Sequence, residues 1–303
     1  MTAFVVYVLT MAGIYGLMSL SLSLQYGQTG LVNFGQVGFF MVGAYVSGVL
    51  TSMLGWPIVL GALAGIVAAA VLGILMALPI GDLRQDYWAI GTLVAAELVR
   101  IIFLNTTFGS PYVGASYGVS EIPSPLHDVI GQDYYGWFYL GLVVVCVAVC
   151  YALVVWSCRS PFGRVLKSVR EGGDEVAQAL GKEVRRARVS AMALGGGIAG
   201  LGGVLFAHLI GFIDPTYFLP LETFLVWAMV ILGGAGNHLG ALLGAVVIQA
   251  IYNLTRFLDL PPEFAALRMV LIGLIIVLVI LYMPKGLVPE RRRRYGERHV
   301  SKR

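Results

Sequence analysis

The sequence predicts an all-α polytopic membrane protein of roughly eight to ten transmembrane helices, interrupted by glycine-rich discontinuous segments. Three observations carry that reading. The chain is 58% hydrophobic and 12% charged, with a mean hydropathy of +0.85, which a water-soluble domain of this length does not reach. Its apolar residues fall into runs of about 20, the length that crosses a bilayer core. Its Lys and Arg residues gather in short stretches at the ends of those runs, where orientation signals belong. That placement accounts for the net charge of +4 and the pI near 9.0, and gives no support to nucleic-acid binding.

Taken in order, the apolar runs are 3–25, 31–54, 57–80, 87–104, 137–157, 189–211, 219–234, 239–256 and 264–283. The opening MTAFVVYVLTMAGIY lacks the positive region of a cleaved signal peptide and reads as a retained helix. The whole chain, 1–303, reads as one transmembrane domain. The stretch 158–188 holds most of a polar island of eight Lys and Arg residues and the tail 285–303 holds eight more; the cation rule puts both in the cytoplasm. The 105–136 loop, with Glu121, Asp128 and Asp133 but no Lys or Arg, then falls outside, and Arg84 in the 81–86 turn falls inside. Only Arg100, Arg256 and Arg268 lie toward the outer face, a bias of 17 to 3 that supports the parity.

Inside the polar island, Asp174 to Gly181 reads as a short helix opened by acidic residues and ended by glycine. The island is either a solvated loop that fixes topology or a docking element for a cytoplasmic partner. The outer loop, rich in Pro, Gly, Ser and aromatics, is either a cap or a receiver for an extracytoplasmic partner. Two glycine-rich breaks interrupt the apolar runs, Gln25 to Gly38 and Gly233 to Gly240. They are either interfacial turns or the broken helices that mark a transport pathway, one in each half of a degenerate internal repeat. Gln28, Asn33, Gln36 and Asn237 are their candidate pathway residues. The 189–211 run spaces Gly196/Gly200 and Ala199/Gly203 for close helix packing, either within the subunit or at a dimer seam.

No P-loop, zinc-protease or nucleophile-elbow motif occurs, and no Cys or His cluster has metal spacing, so no catalytic residue, metal or cofactor is expected. Cys146, Cys150 and Cys158 read as small buried hydrophobes. Glu97 and Arg100 share a helix face inside a span: either a structural ion pair or a functional site. His208 reads as an interfacial histidine, and Asp214, Glu222, Asp259 and Glu263 as residues in or beside outer loops.

Several long stretches in order resemble the permease subunit of ATP-binding-cassette (ABC) importers for branched-chain amino acids, a family that also includes urea and amide permeases. They are QYGQTGLVNFGQVGFFMVGAYVSG, LRQDYWAIGTLVAAELVRIIFLN, SPFGRVLKSVREGGDEVAQALGKEV, VILGGAGNHLGALLGAVV and YMPKGLVPE. Gln36 stands where many members have histidine, and Gly172 and Gly173 precede the short helix where members often have an unbroken charged helix. The resemblance implies a multi-pass protein of the bacterial cytoplasmic (inner) membrane. Its implied partners are a second related permease, two ATPase subunits and an extracytoplasmic solute-binding protein. It makes the short helix a coupling helix, in which Asp174, Glu175, Val176, Ala177, Ala179, Leu180 and Gly181 meet the ATPase with a small apolar face. Two rivals come from other classes: a self-sufficient channel or secondary carrier working through Glu97, Arg100 and His208, and an intramembrane enzyme, for which no nucleophile-base pair is present.

Overall fold

The computed structural model describes residues 2–80, 85–107, 117–126 and 130–257, a few residues between 270 and 282, and 286–289. Arg84, Asp128, Asp259, Glu263, Arg268, most of the 264–283 run and most of the basic tail lie outside the described residues. Among the described residues the regular structure is α-helical, with a short 3-10 turn, one isolated β-bridge and irregular or extended connections. Its helices are α1 (Thr2–Thr29), α2 (Gln36–Ser52), α3 (Ile58–Ile80), α4 (Gln85–Asn105), α5 (Gln132–Arg159), α6 (Pro161–Ala179), α7 (Val184–Ile210), α8 (Pro220–Gly233) and α9 (His238–Phe257). Helices α1, α3, α4, α5 and α7 are long and apolar enough to cross a membrane.

The runs 31–54 and 219–234, which composition reads as spans, are not full spans. Helix α2 has 17 residues and α8 has 14, lengths of about 25 and 21 Å at 1.5 Å per residue, both short of a hydrocarbon core of about 30 Å. Contacts to α1 fix where they begin. The Gln36 amide at the start of α2 reaches the Met18 carbonyl at 3.3 Å and the Ser21 hydroxyl at 2.6 Å. Glu222, in the first turn of α8, meets the Tyr15 hydroxyl. Tyr15 stands thirteen residues after Thr2 and fourteen before Thr29 on α1, so both short helices start near the middle of a long one.

From that shared depth they run in opposite directions. Phe40 of α2 packs near Tyr15 on the N-terminal side of the Met18 contact, whereas Met229 of α8 reaches Ser19 and Ala235 sits against Gly27 at the C-terminal end of α1. Helix α7 is antiparallel to α1, with Ser21 donating to the Gly195 carbonyl at 2.6 Å and Gly202 facing Ile14. The unit α1, extended 30–35, α2, α3 is therefore matched by α7, 211–219, α8, α9 with opposite membrane orientation, an inverted repeat.

Small residues bring these helices together. A Cβ on Gly203 would overlap the Phe40 carbonyl and one on Gly43 the Gly200 carbonyl, while one on Gly65 would stand 2.7 Å from the Gly43 carbonyl. Helices α2, α3 and α7 thus pack backbone to backbone inside the subunit, as the glycine spacing predicts. The described part of the 105–136 loop covers the C-terminal end of α7: Val119 and Ile213 exchange backbone hydrogen bonds at 2.8 and 3.0 Å, and Ile122 N–H donates to Gly211.

Candidate functional site

Extended backbone inside a bilayer needs protein partners for its amides and carbonyls, and the segment 30–35 obtains them from four elements. Asn33 Nδ2 donates to Gln25 Oε1 at 2.7 Å and Gln36 Oε1 at 3.1 Å, and Asn33 Oδ1 accepts from Gly35 N–H. The Asn33 carbonyl accepts from Trp227 Nε1 at 2.9 Å, and Phe34 N–H donates to Thr92 of α4. The two half-depth helices meet directly, because Val37 N–H of α2 donates to Thr223 Oγ1 of α8 at 3.1 Å. Asn33 and Gln36 are fully buried. The result is a closed, uncharged polar seam where the two halves touch.

The remaining sequence candidates separate. Gln28 lies one helical turn further in, its amide 3.3 Å from His238 Nε2, in a group that also holds Ser23 Oγ (2.9 Å from His238 Nδ1) and Cys158 Sγ (3.3 Å from Nε2). Asn237 is not beside Asn33 and Gln36: it caps α9, its Oδ1 accepting from Leu239 and Gly240 N–H, and its neighbour His238 turns inward instead. Glu97 and Arg100 close on each other, with Arg100 Nε 2.9 Å and Nη2 2.5 Å from the carboxylate oxygens. His208 is held by the Pro123 carbonyl at Nδ1 and by Ser47 at Nε2. A carbonyl accepts only, so Nδ1 carries a proton and donates to Pro123.

Sequence reasoning missed Ser21, Gln25, Tyr15, Thr223, Glu222 and His238. The spacing of Ser21, Gln25 and Gln28 on one stripe of α1 is the signal that finds the first two. A Cβ on Gly195 would collide with the Gln25 amide, which explains one glycine of the α7 run.

In the polar island, α6 is two helices. Gly173 has φ 76°, ψ 174°, a conformation open to glycine, and breaks the helix immediately before Asp174. The second piece ends in a Schellman motif: Gly181 N–H donates to the Gln178 carbonyl at 2.8 Å, Lys182 N–H to the Ala177 carbonyl at 3.0 Å, and Gly181 has φ 70°. Asp174 receives Arg188 of α7 at 2.7 and 2.9 Å, and Ala177 packs with Val169 and Val184 at 0% exposure. Ala177 therefore belongs to the inner face, not to the apolar surface expected of it. The exposed side includes Val176 at 50%, Leu180 at 66%, Glu175, Gln178 and Ala179. This is a short helix fixed at both ends, with two large apolar side chains i and i+4 facing water.

The family model described as "Branched-chain amino acid transport system / permease component" matches residues 4–280. The chain belongs to that family. The permease is 33% identical to the high-affinity branched-chain amino acid transport system permease protein LivM of Escherichia coli K12, over 93% of this chain and 69% of that protein. It is 30% identical to the probable LivM of Methanocaldococcus jannaschii, over 92% of this chain and 91% of that protein. It is also 31% identical to the autoinducer 2 import system permease protein LsrC of Salmonella paratyphi B, over 62% of this chain and 53% of that protein. No solved structure matches it. The permease is a transport subunit, not an enzyme. Its quoted motifs also meet in space: Leu287 and Val288 N–H of the GLVP segment donate to the Leu232 and Gly233 carbonyls at 2.8 and 3.0 Å, closing the end of α8.

Proposed function

We propose that the permease works in an ABC importer of the cytoplasmic membrane and carries branched-chain or other neutral amino acids inward. Its partners in this reading are a second related permease, two ATPase subunits and an extracytoplasmic solute-binding protein. One observation carries the partner reading: Val176 and Leu180 are exposed on a helix whose other face is packed and salt-bridged to α7. Fixing a short helix so firmly while leaving two large apolar groups in water favours a docking surface over a solvated loop. The Glu97–Arg100 pair and His208 are bonded within the subunit, which speaks against their being the working site of a self-sufficient carrier.

In this mechanism the half-depth seam is the gate. Asn33 and Gln36 now bond to the protein; when ATP-driven movement parts α2 from α8, their amides become weak, uncharged contacts for a polar solute. The test is reconstitution. Proteoliposomes holding the full importer, binding protein and ATP should accumulate leucine, and the permease alone should not. Leucine accumulation by the permease alone, with no nucleotide, would refute the proposal.

A further inference from the structure

Glu222 reads in sequence as an outer-loop carboxylate, and the fold takes it to the middle of the membrane. The chain leaves α7 at the outer face, turns back through the Pro215–Phe218 turn, and opens α8 at Pro220 with Glu222 in its first turn. There Tyr15 O–H donates to Glu222 Oε2 at 2.7 Å, at the midpoint of α1. Tyr15 is the one hydrogen-bond partner of this carboxylate among the described residues, and none of their Lys, Arg or His side chains forms a salt bridge with it. Tyr15 packs with Tyr252 on the apolar cluster of Ala228, Met229, Leu232, Ala245 and Ile248. An ionisable group at this depth is costly and needs a partner. The helix N-terminus and the phenol stabilise the carboxylate without supplying a cation.

We propose that Glu222, with Tyr15, binds the ammonium group of the solute as it crosses. The inference rests on the reading that the solute is an amino acid. The carboxylate accepts from the ammonium N–H groups, and the Tyr15 oxygen, while donating to Glu222, offers a lone pair to the same ammonium. The counter-charge that no described residue supplies then arrives with the cargo and leaves with it. A site of this kind favours solutes with a primary ammonium over urea or simple amides. Because the phenol and the helix end already hold the carboxylate, the solute is not trapped.

The experiment uses the full importer in proteoliposomes with binding protein and ATP, comparing wild type with Glu222→Gln, Glu222→Asp and Tyr15→Phe. Glutamine keeps the shape and the bond from Tyr15 but not the charge, so a carboxylate with only a structural role leaves uptake unchanged in that variant. We expect Glu222→Gln to lower leucine uptake at least tenfold while ATPase stimulation by loaded binding protein stays within twofold. Glu222→Asp should keep a third or more of the uptake, and Tyr15→Phe should fall between. In the purified wild-type complex, leucinamide should compete with labelled leucine and 4-methylpentanoate, which lacks the ammonium, should not. Undiminished uptake by Glu222→Gln, or equal competition by both analogues, overturns the inference while leaving amino acid import standing. Failure of the wild-type importer to carry any amino acid overturns the solute reading itself.

Discussion

Replacing Leu180 by Ala tests the coupling helix with least disturbance to the fold. Fully burying a leucine is worth about 1.5–3 kcal/mol. Leu180 is 66% exposed in the subunit, so roughly two-thirds of that, about 1–2 kcal/mol, is left to be gained when a partner covers it. At 1.4 kcal/mol per tenfold, losing it should weaken assembly with the ATPase subunits by about 5- to 30-fold. The subunit's own stability should move by less than about 0.5 kcal/mol, as for other surface changes. The assay is titration of tagged ATPase onto detergent-solubilised permease, with thermal unfolding of the permease measured alongside. Ala177→Asp gives the opposite pattern: a carboxylate forced between Val169 and Val184 costs stability first, by a few kcal/mol. If Leu180→Ala binds ATPase as tightly as wild type, or Ala177→Asp leaves the melting temperature untouched, the assignment of outer and inner faces is wrong.

Three further outcomes follow from the packing. Asp174→Asn removes the partner of buried Arg188; with the aspartate itself part-exposed, the cost is about 1 kcal/mol, seen as faster proteolysis within 172–182 and reduced uptake per ATP. Gly203→Ala, whose Cβ would overlap the Phe40 carbonyl, should destabilise the subunit by about 1–3 kcal/mol, whereas Gly181→Ala, with open space around a φ of 70°, should cost about 1 kcal/mol and leave the spans intact. Gln36→Leu strips Ser21 and Asn33 of a buried partner, so the melting temperature should fall by the equivalent of about 1–3 kcal/mol, and an unchanged melting curve would show that the seam is not closed as described.

The amphipathic and apolar patterns made the long helices, the polar island and the two breaks legible, because each depends on local composition. Depth was not legible. Runs 31–54 and 219–234 are as apolar as true spans, and only tertiary contacts to Tyr15, Met18 and Ser21 show that α2 and α8 begin halfway. The same gap hid Glu222, whose two flanking prolines, Pro215 and Pro220, read equally well as an outer turn. Ala177 and Val176 are adjacent small apolar residues in a helix too short to display a face, and it is Val184 on the next helix that decides which one is buried. Asn237 and His238 are likewise neighbours whose directions only the α9 cap separates.

Contacts of α6 link it to both halves of the repeat. Arg170 of α6 donates to the Gly27 carbonyl on α1, and Asp174 grips Arg188 on α7. The inner end of α1 also meets α5 and α9 through Cys158, Ser23 and His238, and touches the α8–α9 turn at Ala235. A displacement of α6 therefore reaches α1 through Arg170, before the Gly173 break, and α7 through Asp174, after it. Those two are continuous helices of 28 and 27 residues, tied by Ser21 to Gly195, and are the stiff members of their halves. What yields between them are the extended segments 30–35 and 211–219, held largely by side chains of neighbouring elements and by the outer-loop bridge rather than by a helical ladder of their own. Since those segments set the depth of α2 and α8, the place where the two short helices touch, Val37 to Thr223, is where such a displacement opens the fold.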